Sequence, residues 1–500
     1  MVLLAALLLA SCGDAPPAFE APPLIVVGVD GLEWDLVLKF GAEGALPNLM
    51  ALAREGYAAK LETLDQGRTL SPMVWTTIAT GKEPEQHGIL GFWYEEPDQS
   101  RHLFSRVHRR SKALWNLLSE RERNVDVFGW WCTFPAEEIG GRMVAQTATQ
   151  GQIDIKSGKT IWKGSYLEGA PFQVTPEEFA PRMDQIASAL AATVDTADDP
   201  LVAAFGTPRF PEPAPGHVVL TQQLWDAVTV AFYADVEFRD AALATLADSK
   251  SATKPGARPL GELLVYFGVT DVASHMFWRH LEPQKFSWPT KQEEEKQFGH
   301  VIRDAYRWVD DAIGKLHAAA PDADLLILSD HGFHAANVDT EFRDPAADDP
   351  IKRLDSGHHM DAPPGVLIAC GKSFKKLPLP LADAKVGATA TVTKSMLSSV
   401  GRVQDILPTL LAREGIPYGE DMAGRPLRQL LADDLLRARP ITSVKTHDDN
   451  EWRTAQQKAL ADYSGFERKF ADSLRGADDE RIKRLKRLGY TGTKLEAEKK

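Results

Sequence analysis

The chain alternates between two kinds of patterning. Short apolar runs rich in β-branched residues occur at Leu24 to Val29 (LIVVGV), Val125 to Trp131 (VDVFGWW), Glu262 to Val269 (ELLVYFGV), Asp324 to Leu328 (DLLIL) and Gly365 to Ala369 (GVLIA). Runs without polar alternation predict strands buried on both faces, as in a parallel sheet. Helical signals lie between them. Residues 51–56 (ALAREG) close a helix with Gly56 as its stop, and 72–81 (PMVWTTIATG) predict a helix that begins at Pro72 and stops at Gly81. Residues 113–119, 222–247 and 405–416 (DILPTLLAREGI) also read as helical. Strands alternating with helices predict an α/β fold, a doubly wound, mostly parallel sheet with helices on both faces. Ligands of such sheets sit beyond the carboxyl ends of the strands.

From about 135 to 258 the pattern loosens into Gly, Pro and Ala clusters, notably 195–216, before a helical stretch. This predicts an inserted cap. The chain then divides into 1–23 as signal and tether, 24–134 as the first part of the core, 135–258 as the cap, 259–440 as the second part, and 441–500 as a charged helical extension. The extension carries RIKRLKRLGY near its end, which suits a solvated helical face or contact with anionic lipid headgroups.

Composition narrows the class. Of 500 residues, 44% are hydrophobic and 25% charged, an ordinary globular balance that excludes a mostly disordered chain. The net charge of −13 excludes a platform for non-specific nucleic-acid binding. Cys12, Cys132 and Cys370 are too few and dispersed for a disulfide framework or a CxxC zinc site. The opening MVLLAALLLAS is apolar but shorter than the roughly 20 residues of a membrane span, and reads as an export signal. No Lys or Arg precedes it. Leu9-Ala10-Ser11-Cys12 resembles a bacterial lipobox, with Cys12 as the lipidated residue. That predicts an exported lipoprotein of the periplasm or cell envelope, held to the membrane only by this N-terminal anchor. The Pro-rich GDAPPAFEAPP suits a stiff tether.

Four of the predicted strands share one feature: Asp or His at one end. Asp30 follows LIVVGV, and Asp271, with His275 four residues on, follows VYFGVT. Asp330 and His331 follow LLILS, and His358 and His359 precede GVLIA. Hard carboxylates and borderline imidazoles are the donors of a divalent zinc or manganese site. On a helix, Asp271 and His275 would share one face. Singly, each has a plainer reading: a tight turn at Asp30-Gly31 or Asp330, a helix cap at Asp271, a structural imidazole at His275. Ser71 stands where backbone N–H groups at a helix start favour an anion, and a metal-bound hydroxyl there would be an activated nucleophile. As a plain alternative, Ser71 caps its helix.

Taken in order, IVVGVDG, SPMVWTTIATGKEPEQHGI, GVTDVASH, LSDHGF, the His before GVLIACG, and DILPTLLAREGIPYGEDMAGRPL resemble the alkaline phosphatase superfamily, in its branch of type I phosphodiesterases and nucleotide pyrophosphatases. The resemblance covers about 24–135 and 260–432 and implies the alkaline-phosphatase-like core. It implies one metal held by Asp271, His275 and a histidine of the 358–359 pair, His359 before His358, and a second held by Asp30, Asp330 and His331. It implies Ser71 as nucleophile and metal ligand, with Thr69 as a substitute, and His87 with Gly88 as the floor of the site. Nucleotide pyrophosphatases place an Asn where this chain has Phe92, which tells against a nucleotide diester; Lys112 is a candidate to supply a positive charge instead, with an exposed surface lysine as its plain reading. The sulfatase Cys-x-Pro-x-Arg motif has no counterpart at Ser71-Pro72-Met73. The expectation is a two-metal hydrolase of small phosphate esters, diesters first, acting through a phosphoseryl intermediate. The alternatives are a phosphomonoesterase or phosphoethanolamine-type phosphotransferase of the same fold, a catalytically degenerate binding protein, and a surface-anchored interaction protein.

Overall fold

A computed structural model describes residues 19–469 and 493–494, without 66–67, 96–98, 100, 150–151, 154–159, 162–172, 211–219, 252–257, 287–289, 337–355, 362 and 380–392. The export signal, Cys12 and RIKRLKRLGY lie outside the described residues.

Nine strands form the main sheet, in the spatial order Ser399–Arg402, Tyr57–Glu62, Gly365–Cys370, Asp324–Leu328, Leu24–Val29, Glu262–Phe267, Val125–Phe128, Met143–Val144 and Val174–Thr175. Leu24–Val29 sits at the centre and pairs in parallel with Glu262–Phe267 on one side and Asp324–Leu328 on the other. Only Gly365–Cys370 and Val174–Thr175 run against the rest. The mostly parallel α/β sheet expected from the apolar runs is therefore the sheet observed.

Period-2 geometry explains why those runs are uninterrupted. Ile25, Val27 and Val29 face one core and Leu24 and Val26 the other, and Leu325 and Ile327 oppose Leu326 and Leu328 likewise. The first core is covered by helices Trp34–Ala42, Pro47–Glu55, Val269–Leu281 and Val301–Ala319. The second is covered by Ser71–Thr80, Leu114–Ser119 and Ile406–Glu414. No single helix among the described residues is long and apolar enough to cross a membrane.

The described part of 135–258 is built into this body. Met143–Val144 and Val174–Thr175 extend the sheet, and the 30-residue helix Leu220–Ser249 buries Val228, Phe232 and Val236 in the first core. Of 441–500, Ser443–Val444 pairs with Tyr418–Gly419, helix Asn450–Lys469 follows, and Thr493–Lys494 pairs with Trp93–Glu95.

Candidate active site

Asp30 is the first residue past the central strand, where its N–H still bonds the Phe267 carbonyl at 2.9 Å. Gly31 then turns the chain with φ +66°, and a Cβ there would lie 3.1 Å from the Asp271 Cα. Left-handed backbone and close approach both call for glycine. Its N–H donates to Asp330 Oδ1 at 3.2 Å, tying the ends of two neighbouring strands. Asp271 and His275 sit in the first turns of helix Val269–Leu281, on one face as their spacing predicts. Gly268, not Asp271, is the residue at the helix cap.

Gly365–Cys370 runs antiparallel, so its start lies where its parallel neighbours end. That is why the histidine pair precedes its strand while the other residues follow theirs. Gly357 brings this segment against the helix: a Cβ there would collide with the Ser274 carbonyl oxygen, and His275 Nδ1 donates to Gly357 O at 3.1 Å.

Two groups of donor atoms result. Asp30, Asp330 and His331 form one and Asp271, His331 and His359 the other, each with ligand atoms within 4.8 Å of one another. His331 Nε2 lies 3.2 Å from Asp330 Oδ2 and 3.5 Å from Asp30 Oδ1, and His275 Nε2 lies 3.6 Å from Asp271 Oδ1. The His331 and His359 rings stack at 4.0 Å, and His275 meets His359 edge-on at 4.9 Å. Backbone carbonyls orient two of the rings, since His275 Nδ1 donates to Gly357 O and His331 Nδ1 donates to Gly332 O, each at 3.1 Å.

The electrostatics are those of a cation site. Asp30 Oδ1, Asp330 Oδ2 and His331 Nε2 are buried and make no hydrogen bond. Burial, then the charges of Asp30 and Asp271, push the Asp330 carboxyl well above its usual range. Burial lowers the His331 imidazole to about 4 and drives His359 down as well, with repulsion from His331 and His275 adding to the second. Neutral imidazoles beside clustered carboxylates fit a divalent ion, which reverses these penalties.

Ser71 opens helix Ser71–Thr80 as its first residue, while the cap position falls on Leu70, so Ser71 does not serve as the cap. Two neighbours tie this helix start to the donor clusters. Thr69 Oγ1 donates to the His359 carbonyl at 2.9 Å, and Trp75 Nε1 donates to Asp30 Oδ2 at 3.1 Å. Ser71 and Trp75 are four apart and share a helix face. His87 lies beneath: Ile89 N donates to its Nδ1 at 3.2 Å, its Nε2 meets Thr77 Oγ1 at 3.0 Å, and burial holds it at about 3.

Two candidates go elsewhere. His358 turns outward to His334 and Asp361. Lys112 ion-pairs with Glu120 at 2.6 Å and Asp449 at 2.9 Å, because the C-terminal segment folds back over it. Phe92 is buried, and its ring meets Trp131 at 5.4 Å, with Trp131 also beside Tyr266.

Residues 24–386 match the family described as type I phosphodiesterase / nucleotide pyrophosphatase. The chain belongs to that family. Among solved structures, phosphonoacetate hydrolase from Sinorhizobium meliloti 1021, seen with phosphonoformate or phosphonoacetate, is 16% identical over 63% of this chain and 57% of its own, with a TM-score of 0.34. The chain thus spans less than two thirds of that hydrolase. Murine ectonucleotide pyrophosphatase / phosphodiesterase 5 is 12% identical over 82% of this chain and 100% of its own, with a TM-score of 0.42.

Several supporting residues are not among those the sequence singles out. Tyr266 OH donates to Asp30 Oδ2 at 2.5 Å, and Thr270 Oγ1 to the Asp30 carbonyl at 2.6 Å. Asp235, on the long helix, takes the N–H groups of Gly268 and Val269 at 2.8–3.0 Å, capping the helix that carries Asp271 and His275. Burial raises its carboxyl to about 8 despite those bonds. Glu33 accepts from Phe333 N at 3.1 Å and from Lys394 at 2.5 Å, bracing the loop after His331. Asp235, two residues from Glu237, and Glu33, between Asp30 and Asp35, do not stand out from the acids around them, and their partners lie about 30 and 300 residues away.

Proposed function

We propose that this protein hydrolyses small phosphate esters, phosphodiesters first, through a phosphoseryl intermediate on Ser71. The observation that supports this most is the pairing of buried, unbonded carboxylate oxygens with a serine-bearing helix start bonded to both donor clusters. Asp30, Asp330 and His331 would hold one divalent ion, and Asp271, His275 and His359 the other, with zinc the best fit to the donors and manganese the alternative. Bound ions supply Lewis acidity there, depressing the pKa of the serine hydroxyl and neutralising charge on the phosphoryl oxygens.

The chain's own residues do the rest. Ser71 lies at the positive end of a ten-residue helix, which favours both its alkoxide and a phosphoryl anion. Its Oγ attacks phosphorus as the ester oxygen departs with a proton to form the alcohol. Water then breaks the seryl–phosphorus bond, releasing the phosphate product and restoring the hydroxyl. Trp75 and Tyr266 hold Asp30 in one orientation, and Asp235 fixes the helix of Asp271. Phe92 and Trp131 offer an apolar wall rather than an amide donor, which suits a leaving group other than a nucleotide. Cys12 would carry the lipid anchor, with the enzyme facing the periplasm or outer cell envelope.

Zinc- or manganese-loaded protein should cleave a bis-aryl phosphate faster than the matching mono-aryl ester. Free alcohol and phosphate, with no phosphoryl transfer to an added acceptor alcohol, separate hydrolysis from a phosphoethanolamine-type transferase. Failure to cleave any aryl phosphate with either metal would overturn the proposal and leave a degenerate binding protein.

A further inference from the structure

Three more donor groups converge outside the buried clusters. The short strands His334–Ala335 and Gly357–His358 pair antiparallel, in a register that sets His334 directly opposite His358. Side chains so opposed share a face of the ladder, and the two rings lie 5.7 Å apart. Asp361, three residues beyond His358, turns back toward them. Its Oδ1 lies 2.7 Å from His334 Nε2 and 3.5 Å from His358 Nδ1, which accepts the Met360 N–H at 3.3 Å and would exchange that long bond for an ion. His334 Nδ1 donates to the Ala335 carbonyl at 2.7 Å, so a neutral His334 ring presents its Nε2 lone pair to the carboxylate. Two acceptors that close need a cation between them, either a proton on the ring or a metal ion.

We infer that His334, His358 and Asp361 form a third divalent-cation site, distinct from the two buried ones. Two histidines and one carboxylate are the donor set of zinc sites that keep a further position open. The three ligand atoms lie within 4.8 Å of one another, and tetrahedral zinc with bonds of about 2.0–2.1 Å needs edges of about 3.3 Å. The Ala335 carbonyl orients His334 as backbone carbonyls orient metal-bound imidazoles. Unlike the buried clusters this one opens to solvent, with the Asp361 side chain 58% exposed. Its ion should therefore exchange faster, fill later and leave first under a chelator. By joining the two short strands it would brace the segment that carries His359 from outside. The inference does not depend on phosphoesterase activity.

The test is zinc content. Full-length protein is dialysed to equilibrium against a series of buffered free-zinc concentrations and analysed for bound metal. The unaltered chain should reach about one equivalent more than Asp361→Asn or His334→Gln. Asp330→Asn should lose buried metal and keep this ion, so failure of the buried centre reads differently from failure of the outer site. Cobalt substitution gives a second readout: the visible bands lost on Asp361→Asn should be those of a low-coordinate nitrogen and oxygen site. Asp361 is exposed, so its substitution spares the core, and circular dichroism checks this. Equal metal content in the unaltered chain, Asp361→Asn and His334→Gln across the zinc series would overturn the inference.

Discussion

The strand Asp324–Leu328 has a buried carboxylate at its start and another two residues past its end, and the two are treated in opposite ways. At the amino end, Asp324 Oδ2 accepts from Arg413 Nε at 3.2 Å and Nη2 at 2.7 Å, and the guanidinium also reaches Glu414 and the Pro22 carbonyl. At the carboxyl end, Asp330 faces Asp30, Asp271 and a neutral imidazole, and among the described residues neither Asp30 nor Asp330 is paired with Lys or Arg. A buried charge left without a counter-charge is expensive. The amino end is compensated within the chain and holds the fold together. The carboxyl end has no Lys or Arg counter-charge among the described residues, and on the proposed function it would take a cation from solution beside Ser71.

The largest expected effect comes from Ser71→Ala, which should cut turnover by about 10⁴-fold or more, as loss of a nucleophile does, while metal content stays near that of the parent. Retained turnover would remove the nucleophile from the account. Asp330→Asn should cost about 10³-fold in activity together with bound metal, measured by elemental analysis of the same preparation. The opposite end of the strand should respond in stability instead. Arg413→Met strands Asp324 and should cost about 3–5 kcal/mol in chemical denaturation, with metal content unchanged.

A second compensated site sharpens the contrast by pH. Burial would raise Glu137, but Arg109, Arg106 and the bonds from Asn116 and Trp115 outweigh it and hold the carboxyl at about 2. A carboxyl depressed on folding contributes stability above its unfolded pKa of about 4.3, and that stability is lost as pH falls through about 2. Parent protein should thus lose roughly 3 kcal/mol across that window beyond what Glu137→Gln loses, read from urea midpoints. Smallest is the effect of filling one metal site. Zinc at about 100 times the dissociation constant of the Asp30, Asp330 and His331 site should raise stability by about 2.7 kcal/mol through that site in the parent and by much less in Asp330→Asn.

Much of the candidate site was legible because the apolar runs of two central strands stop abruptly at their ligand candidates. LIVVGV runs into Asp30 and DLLIL into Ser329, Asp330 and His331, so both strand and chemistry are written locally. The His358–His359 ambiguity was not resolvable that way. It depends on the pairing of Gly357–His358 with His334–Ala335, which turns His358 outward and leaves His359 beside His331. Strands toward the two ends of the sheet were missed for a related reason. Tyr57–Glu62 keeps Lys60 half-exposed, Ser399–Arg402 contains a glycine, and Met143–Val144 is two residues long. Such segments take their conformation from the strand they pair with rather than from their own pattern. Lys112 read as a spare cation because Asp448 and Asp449, which anchor it, lie more than 330 residues further along the chain.

Anomalous X-ray scattering at the zinc edge, from crystals of the zinc-loaded protein, tests the central claim most directly. The account predicts two strong buried peaks, one among Asp30, Asp330 and His331 and one among Asp271, His275 and His359, both within reach of Ser71. Crystals with no peak among these residues, or with zinc only at the surface, would contradict it.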